Sequence, residues 1–322
     1  MAAEQGEPDE LRVVVGDDLA GHRADDAVRR SFPGFSRKEV QELFEAGRVR
    51  ADSRRLKKGD RVQRGVELSV RAPSLPIAPD ASIPLELLFE SEDFVIVNKP
   101  AGLPTAPLVR TDTRSLAAAL LARYPEMQGV GFREREPGLV HRLDNETSGV
   151  VLAARSAAAF EAARTLFESS QIEKRYLALV GTAPSGSGQP ELAAAGEIET
   201  LLGPDSADPR RVRVYTEAPD GYAKLSRTRY RVLERGPRFT LVELDVERAF
   251  RHQIRVHLAH LGFPIAGDAL YAGAAAAELG ARHALHGSYI AWAGDAVRAG
   301  FRAEAGLPAE LRLLLGVSGG AA

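Results

Sequence analysis

The stretch that most constrains this chain is Gly138-Leu-Val-His-Arg-Leu-Asp-Asn-Glu-Thr-Ser-Gly-Val-Val-Leu-Ala-Ala-Arg155, a polar loop bounded by glycines that runs straight into an apolar strand. Val150, Val151 and Leu152 have to enter a core, so any fold that forms must carry the polar residues before them to a sheet edge. His141, Arg142 and Asp144 fall within four residues, followed by Asn145, Thr147, Ser148 and Gly149. A loop that brings a carboxylate and a guanidinium to a sheet edge is a common way for a rigid scaffold to present reactive groups. The same residues could equally form an Arg142/Asp144 ion pair steadying an ordinary loop, and the local sequence does not choose between the two.

At 322 residues the chain exceeds the usual size of one domain, so two are expected, and a 44% hydrophobic content is ample for two cores. It has no cysteine, which removes disulfides, thiolate nucleophiles and cysteine-based zinc sites. Together with the lack of an apolar leader this points to the cytoplasm, and no apolar run approaches the ~20 residues of a membrane span. A formal net charge of -2 would argue against a nucleic-acid partner only if charge were spread evenly. Residues 1–26 hold eight acids against two arginines, residues 37–64 hold ten Lys/Arg against five acids, and residues 210–235 hold eight against three. The two basic segments have the form either of electrostatic footprints for phosphate or of solvated faces.

Residues 1–10 are acidic, carry no apolar period and read as a disordered tail. From Arg23 the positions Ala24, Ala27, Val28 and Phe32 recur at helical spacing and stop at Pro33-Gly34. A second helix opens at Ser36 with Glu39 three residues on, the capping-box pattern; it shows Val40, Leu43 and Phe44 on one face and ends at Gly47. Arg37 and Lys38 sit in its first turn, where free amides already favour anions, so cations there help only if a phosphate meets them. Arg48, the run Arg54-Arg-Leu-Lys-Lys58 and the alternating strand Val66–Val70 complete a helix-helix-strand unit with a basic rim.

Arg23–Asp26, Pro33–Lys38, Gly47–Val49 and Lys58–Asp60 together resemble the RNA-binding domain named for the fourth protein of the small ribosomal subunit, over residues 11–71. The resemblance implies binding of structured RNA by shape and phosphate, through Arg37, Lys38, Arg48, Arg54, Arg55, Lys57 and Lys58. Where that family often has an asparagine-glycine turn near the second strand, this chain has Ala51-Asp-Ser53.

Residues 72–84 contain four prolines and no charge except Asp80, and read as a semi-rigid linker to a second domain over 85–322. Leu85–Glu90 and Phe94–Asn98 are predicted as a hairpin, broken by Asn98-Lys-Pro-Ala-Gly102, and residues 114–124 as a helix closed by Pro125. After Arg155 the spacing predicts a helix from Ser156, then a strand over Glu173–Val180 with Lys174, Tyr176, Ala178 and Val180 on one side. On strand statistics alone Tyr176 is core filler. Residues 181–209 read as a loop-rich excursion with little core, and Lys224–Leu233 as a strand with its arginines on one face, paired with Phe239–Val246. Arg248–Gly262 reads as one helix with Ile254, Leu258 and Leu261 on its apolar face. His257 and His260 lie at metal-ligand spacing, but no acidic third ligand of the His-Glu-x-x-His kind accompanies them and no metal is expected. Strands around Ala284–Ile290 and a helix over Pro308–Leu315 close the chain. The predicted fold class is α+β: a small N-terminal helix-helix-strand domain, then a mixed, mainly antiparallel sheet flanked by helices.

Val97–Leu103, Gly138–Arg155, Glu173-Lys-Arg-Tyr176 and His252-Gln-Ile-Arg-Val-His-Leu258 with Gly267-Asp268 resemble the motifs of RNA pseudouridine synthases of the ribosomal large-subunit type, over nearly all of residues 85–295. The resemblance implies an enzyme, expected to be a monomer without cofactor, that isomerises uridines in structured RNA, with ribosomal RNA of the large subunit favoured and transfer RNA open. Asp144 matches the family's catalytic aspartate, Tyr176 the tyrosine that packs against uracil, and Arg255 the arginine that pairs with the aspartate. Arg142 matches an arginine that enters the RNA stack, and His141 beside it is a further substrate-binding candidate. The chemistry is consistent with these roles. The target base must leave its helix for a water-excluding pocket, where a carboxylate would take up a proton unless a cation kept it ionised. Before His252 the family usually has a Thr-Gly-Arg-Thr type sequence, whereas this chain has Arg248-Ala-Phe-Arg251. Two other readings are an RNA-binding ribosome assembly factor without turnover and a hydrolase using Asp144 with Glu146. A missing nucleophile would favour the first, but Asp144 is present, and the second leaves the basic segments without a use.

Overall fold

The structure, a computed structural model, describes residues 10–32, 35–71, 77–107, 113–133, 135–181, 191–205, 207–208, 210–217, 223–272 and 282–316. Residues 1–9 of the tail predicted over 1–10, the Pro33-Gly34 helix stop and residues 72–76 of the proline-rich stretch lie outside these residues, and Glu10 is in a strand. The chain divides into two compact units: residues 1–78 with 107–113 and 132–137, and residues 79–106, 114–131 and 138–322.

In the first unit, β1 (Glu10–Val14), α1 (Ala24–Ser31), α2 (Arg37–Glu45), β2 (Val49–Ala51), β3 (Arg54–Arg55) and β4 (Glu67–Arg71) follow in order. The antiparallel sheet runs β1-β4-β2-β3. The capping box of α2 is formed: the Glu39 amide donates to Ser36 Oγ at 3.3 Å, and the Ser36 amide to Glu39 Oε2 at 2.7 Å. Ala24, Ala27 and Val28 of α1 and Val40, Leu43 and Phe44 of α2 pack with Val49, Leu68 and Val70 of the sheet. Strand β1 was not predicted. Its Leu11 and Val13 alternate against the core, a two-residue signal overshadowed by the acidic residues before it.

The second unit contains β5 (Glu86–Glu90), β6 (Phe94–Lys99), α3 (Leu116–Arg123), β7 (Ser148–Ala154), α4 (Ala157–Glu168), β8 (Glu173–Gly181), β9 (Ala195–Pro204), β10 (Val212–Tyr215), β11 (Lys224–Arg235), β12 (Phe239–Asp245), α5 (Gln253–His260), β13 (Leu285–Gly294), β14 (Ala299–Glu304) and α6 (Ala309–Leu315). A ten-stranded sheet runs β10-β9-β11-β12-β8-β13-β7-β6-β5, with β14 also on β13. All its described pairings are antiparallel except β7 with β13. Of the proline-rich stretch, Ile83 is buried and the Asp80 amide donates to the Ala118 carbonyl, so this end packs on α3.

Two predictions give way. The excursion over 181–209 contains β9, whose Ile198 and Leu202 are buried; its alternation is diluted by the run Ala193-Ala-Ala-Gly196 and by the loop residues around it. The helix predicted from Arg248 starts only at Gln253, because His252 is left-handed (φ 56°, ψ 13°) and breaks the helical path. Gln253 closes the resulting turn, accepting the Phe250 amide on Oε1 at 2.8 Å.

The parallel junction between β7 and β13 is made by two glycines, Gly149 opposite Gly287. Gly149 has φ 119°, and a Cβ there would lie 2.1 Å from the Gly287 carbonyl oxygen. Backbone on the far side cannot yield, so Gly149→Ala is expected to destabilise by about 3 kcal/mol, a drop readable by thermal melting. Unchanged melting would mean that the two strands are not held this closely.

Candidate active site

The polar loop ahead of β7 is fixed residue by residue from other elements. Thr105 Oγ1 donates to the Leu143 carbonyl at 2.8 Å and accepts the Leu143 amide at 3.2 Å. The Asn145 carbonyl receives Lys99 Nζ at 3.1 Å and the Gly102 amide at 2.9 Å. Arg282 Nη1 holds the Glu146 carbonyl at 3.0 Å, Thr147 pairs with His283 at 2.7 Å, and Ser148 with His286 at 2.8 Å. Lys99, fully buried at the end of β6, also donates to the Pro100 and Leu103 carbonyls. Burial pulls its pKa down to about 8, only partly offset by Glu146 and Asp144. In the sequence Lys99 stood within a strand break and within the Val97–Leu103 motif but was given no role of its own; its signal was a lysine directly after an apolar strand and before proline.

At the centre of this clamped loop Asp144 Oδ2 accepts Arg255 Nη1 at 2.8 Å. Arg255, from the first turn of α5, turns its other edge to Asp268, donating from Nε at 2.7 Å and from Nη2 at 2.8 Å. The Asp268 side chain is fully buried, whereas that of Asp144 remains 28% exposed, so Asp144 is the carboxylate of the three-member group that meets solvent. Burial disfavours every charge here, but the ion pairs outweigh it: both carboxyls lie below their ordinary value and the guanidinium above its own. His252 and His283 also stand near Asp144, yet burial pulls each to about 4, so at neutral pH the cation that keeps Asp144 ionised is Arg255.

Tyr176, on β8, lies beside this group. Its ring is half-buried, close to Gly287, and burial with the nearby Asp144 charge pushes its hydroxyl up to about 12. The hydroxyl has no hydrogen-bond partner among the described residues, which leaves the ring placed by packing alone. His252 sits with Nε2 3.8 Å from Asp144 Oδ2, and its Nδ1 meets the Tyr271 hydroxyl at 2.9 Å. Of Ala249 and Phe250, either of which stands where the family's glycine was expected, Phe250 packs against Val256, Leu202 and Val212. The positive φ is carried by His252 instead.

The remaining predicted residues are placed as follows. Arg142 is exposed. The ring of His141 is taken up by the fold: Nε2 accepts the Leu152 amide at 2.9 Å, the ring packs on Phe167, and burial pulls its pKa to about 3. His257 is buried between Thr200 and Thr228 hydroxyls, and among the described residues no group of His, Asp and Glu is arranged to hold a metal. The arginines of β11 are matched across the sheet, Arg227 and Arg229 by Glu197 and Arg231 by Glu243, so this basic segment is largely a zwitterionic face. In the N-terminal unit Arg37, Lys38, Arg48, Arg54, Arg55, Lys57 and Lys58 are all exposed. Lys38 is near Glu42 at 3.9 Å, and Arg54 near Asp60 at 3.7 Å. An open cleft of about 590 Å³ in this unit is lined by Arg37 and Lys58, by Arg23, Arg29 and Arg61, which were not among the predicted RNA-binding residues, and by Asp25 and Asp26, which pair with Arg23 and Arg29.

The structure thus brings together, on one large and mainly antiparallel sheet, an aspartate and an arginine more than a hundred residues apart in sequence. The family model for RNA pseudouridylate synthase matches residues 93–260, and the chain belongs to that family. It is an RNA pseudouridine synthase, an isomerase of uridine in RNA. A Chloroflexus aurantiacus protein described as an uncharacterized RNA pseudouridine synthase is 35% identical over 96% of this chain and 94% of its own. Ribosomal large subunit pseudouridine synthase D of Xanthomonas campestris pv. campestris is 31% identical over 94% of this chain and 91% of its own. Among solved structures, human RNA pseudouridylate synthase domain containing 1 superimposes with a TM-score of 0.56 at 26% identity, covering 71% of this chain and 86% of the human one. No described helix is long and apolar enough to cross a membrane.

Proposed function

We propose that this enzyme converts uridines of large-subunit ribosomal RNA to pseudouridine in the cytoplasm, with Asp144 as the nucleophile acting on a nucleotide flipped out of its helix. The observation that carries the reading is the Asp144 carboxylate: partly exposed, on a loop fixed from five directions, and kept ionised by the 2.8 Å contact with Arg255. The net reaction breaks N1–C1′, turns the uracil and forms C5–C1′, the C5 proton ending on N1, so it consumes neither oxidant nor cofactor. A detached uracil needs a flat surface while it turns. Tyr176 offers one, and base-aromatic stacking is worth about 1–3 kcal/mol per base. Exposed Arg142 faces the RNA and takes the place of the extruded nucleotide.

The choice of ribosomal RNA is supported by the large-subunit name of the Xanthomonas relative and by the basic rim of residues 11–71, which we assign to binding structured RNA. Deleting residues 1–71 is expected to weaken binding to large-subunit ribosomal RNA by about ten-fold near 0.1 M salt and to flatten the dependence of log K on log salt. Filter-binding titrations at several salt concentrations read both. An unchanged affinity and slope would remove this domain from RNA recognition. The reading as a whole is tested by incubating the purified enzyme with unmodified large-subunit ribosomal RNA and mapping pseudouridine at single-nucleotide resolution.

A further inference from the structure

His252 occupies a backbone conformation that a residue with a Cβ adopts only when its surroundings over-determine it, and it does so beside Asp144. What holds the imidazole is Tyr271. The Tyr271 oxygen already accepts the Val212 amide at 2.8 Å, so its hydroxyl proton is free to go to His252 Nδ1 at 2.9 Å, and the two rings meet edge-on. An imidazole that accepts on Nδ1 carries its own hydrogen on Nε2, the nitrogen 3.8 Å from Asp144 Oδ2. Tyr271 and Asp268 belong to one short turn, in which Asp268 Oδ1 accepts the Leu270 and Tyr271 amides at 3.1 and 3.3 Å. The turn is itself fixed at Gly267, where φ is 75° and a Cβ would lie 2.1 Å from the Arg282 carbonyl oxygen. A single turn therefore sets both groups that converge on Oδ2: Asp268 orients Arg255, and Tyr271 orients His252.

We propose that Tyr271 is a positioning residue that acts through His252, aiming its Nε2–H at Asp144 Oδ2 from 3.8 Å, so that Oδ2 is hydrogen-bonded to Arg255 and faced by His252 while Oδ1 is the oxygen presented to the nucleotide. The inference rests on Asp144 being the nucleophile. Its test uses the full-length enzyme with transcribed large-subunit ribosomal RNA, comparing Tyr271→Phe, His252→Asn, His252→Gln, the Tyr271→Phe/His252→Asn double variant and Asp144→Asn. Asparagine tolerates the left-handed backbone but falls short of Asp144, whereas glutamine reaches the Nε2 position with an N–H donor. Tyr271→Phe and His252→Asn are each expected to lower kcat about ten-fold with KM nearly unchanged, and His252→Gln to recover most of the loss. If Tyr271 acts through His252, the double variant is no slower than His252→Asn. The acid limb of the pH profile should also move up in His252→Asn, because the carboxylate has lost the N–H dipole aimed at it.

Single variants at wild-type rates, additive losses in the double variant, or no recovery with glutamine would each overturn the proposal. So would a Tyr271→Phe enzyme that melts earlier, having left the Val212 amide without its acceptor, yet turns over normally below its melting point. Asp144→Asn separates the two levels: activity in that variant overturns the nucleophile assignment, whereas an inactive Asp144→Asn beside fully active Tyr271 and His252 variants overturns only the positioning role.

Discussion

Asp144→Asn is expected to form pseudouridine on the order of 10⁴-fold more slowly than the wild type, or not measurably, while folding and binding RNA normally. The amide oxygen of asparagine can still accept Arg255 Nη1, and Arg255 keeps both contacts with Asp268, so the cost to stability is about 1 kcal/mol. Removing a negative charge from a surface that meets RNA does not weaken phosphate contacts. What is lost is the charged oxygen, since a neutral amide cannot attack the nucleotide. The measurement is a single-turnover assay beside an RNA-binding titration and a melting curve. A variant that binds, melts normally and is inactive fits the mechanism; one that keeps substantial activity removes Asp144 from it.

Arg255→Met is expected to abolish activity as fully, and for a reason that also reaches the fold. Arg255 is the shared partner of a fully buried carboxylate and a partly buried one, and its own side chain is 9% exposed. Taking the cation out of such a pair typically costs about 3–5 kcal/mol, because the remaining charges are left without compensation. Arg255→Lys is expected to fold better but to stay well below wild-type activity, since one ammonium cannot reproduce the fork that reaches both carboxylates. Between pH 8 and ~5 Arg255→Met and the wild type should also respond differently, the variant gaining stability while the contribution of Asp144 and Asp268 to the wild type stays constant. In the wild type, Asp144 and Asp268 lie below their ordinary values in the folded state, so the stability they contribute is present above those values and is lost as pH falls through the folded ones. In Arg255→Met at least one carboxyl would be raised by burial and by its neighbour, so this variant should gain stability as pH falls from 8 to ~5. Melting curves at the two pH values, with rates measured below the melt, separate loss of fold from loss of chemistry.

The sequence displayed the frame of the sheet through its periodicities, and the exceptions have physical causes. Strands β6, β7, β8, β11 and β12 appeared because their apolar residues alternate or run unbroken between turn residues. Strand β9 did not, since alanines and glycine at its start carry no alternation of size. With β9 unread, the arginines of β11 looked like unmatched charge; Glu197, which pairs with two of them, lies on the strand that was missed.

The site divides in the same way. The Asp144 loop stands out locally, but its partner Arg255 is 111 residues away, and only the family resemblance, not spacing, connected them. Asp268 was visible only as half of a Gly-Asp motif. His252 was read as an ordinary helical residue because a positive φ leaves no mark when the residue is not glycine. His141, grouped with Asp144 by proximity in sequence, belongs to the edge of β7 through the Leu152 amide.

The most direct measurement is a map of pseudouridines in cellular RNA from three strains: one lacking the gene, one carrying the wild-type gene, and one carrying the Asp144→Asn allele at equal protein level. Discrete positions in large-subunit ribosomal RNA are expected to lose pseudouridine when the gene is absent, to regain it with the wild-type allele and to stay unmodified with Asp144→Asn. Identical maps in all three strains, or restoration by the Asp144→Asn allele, would contradict the proposed function.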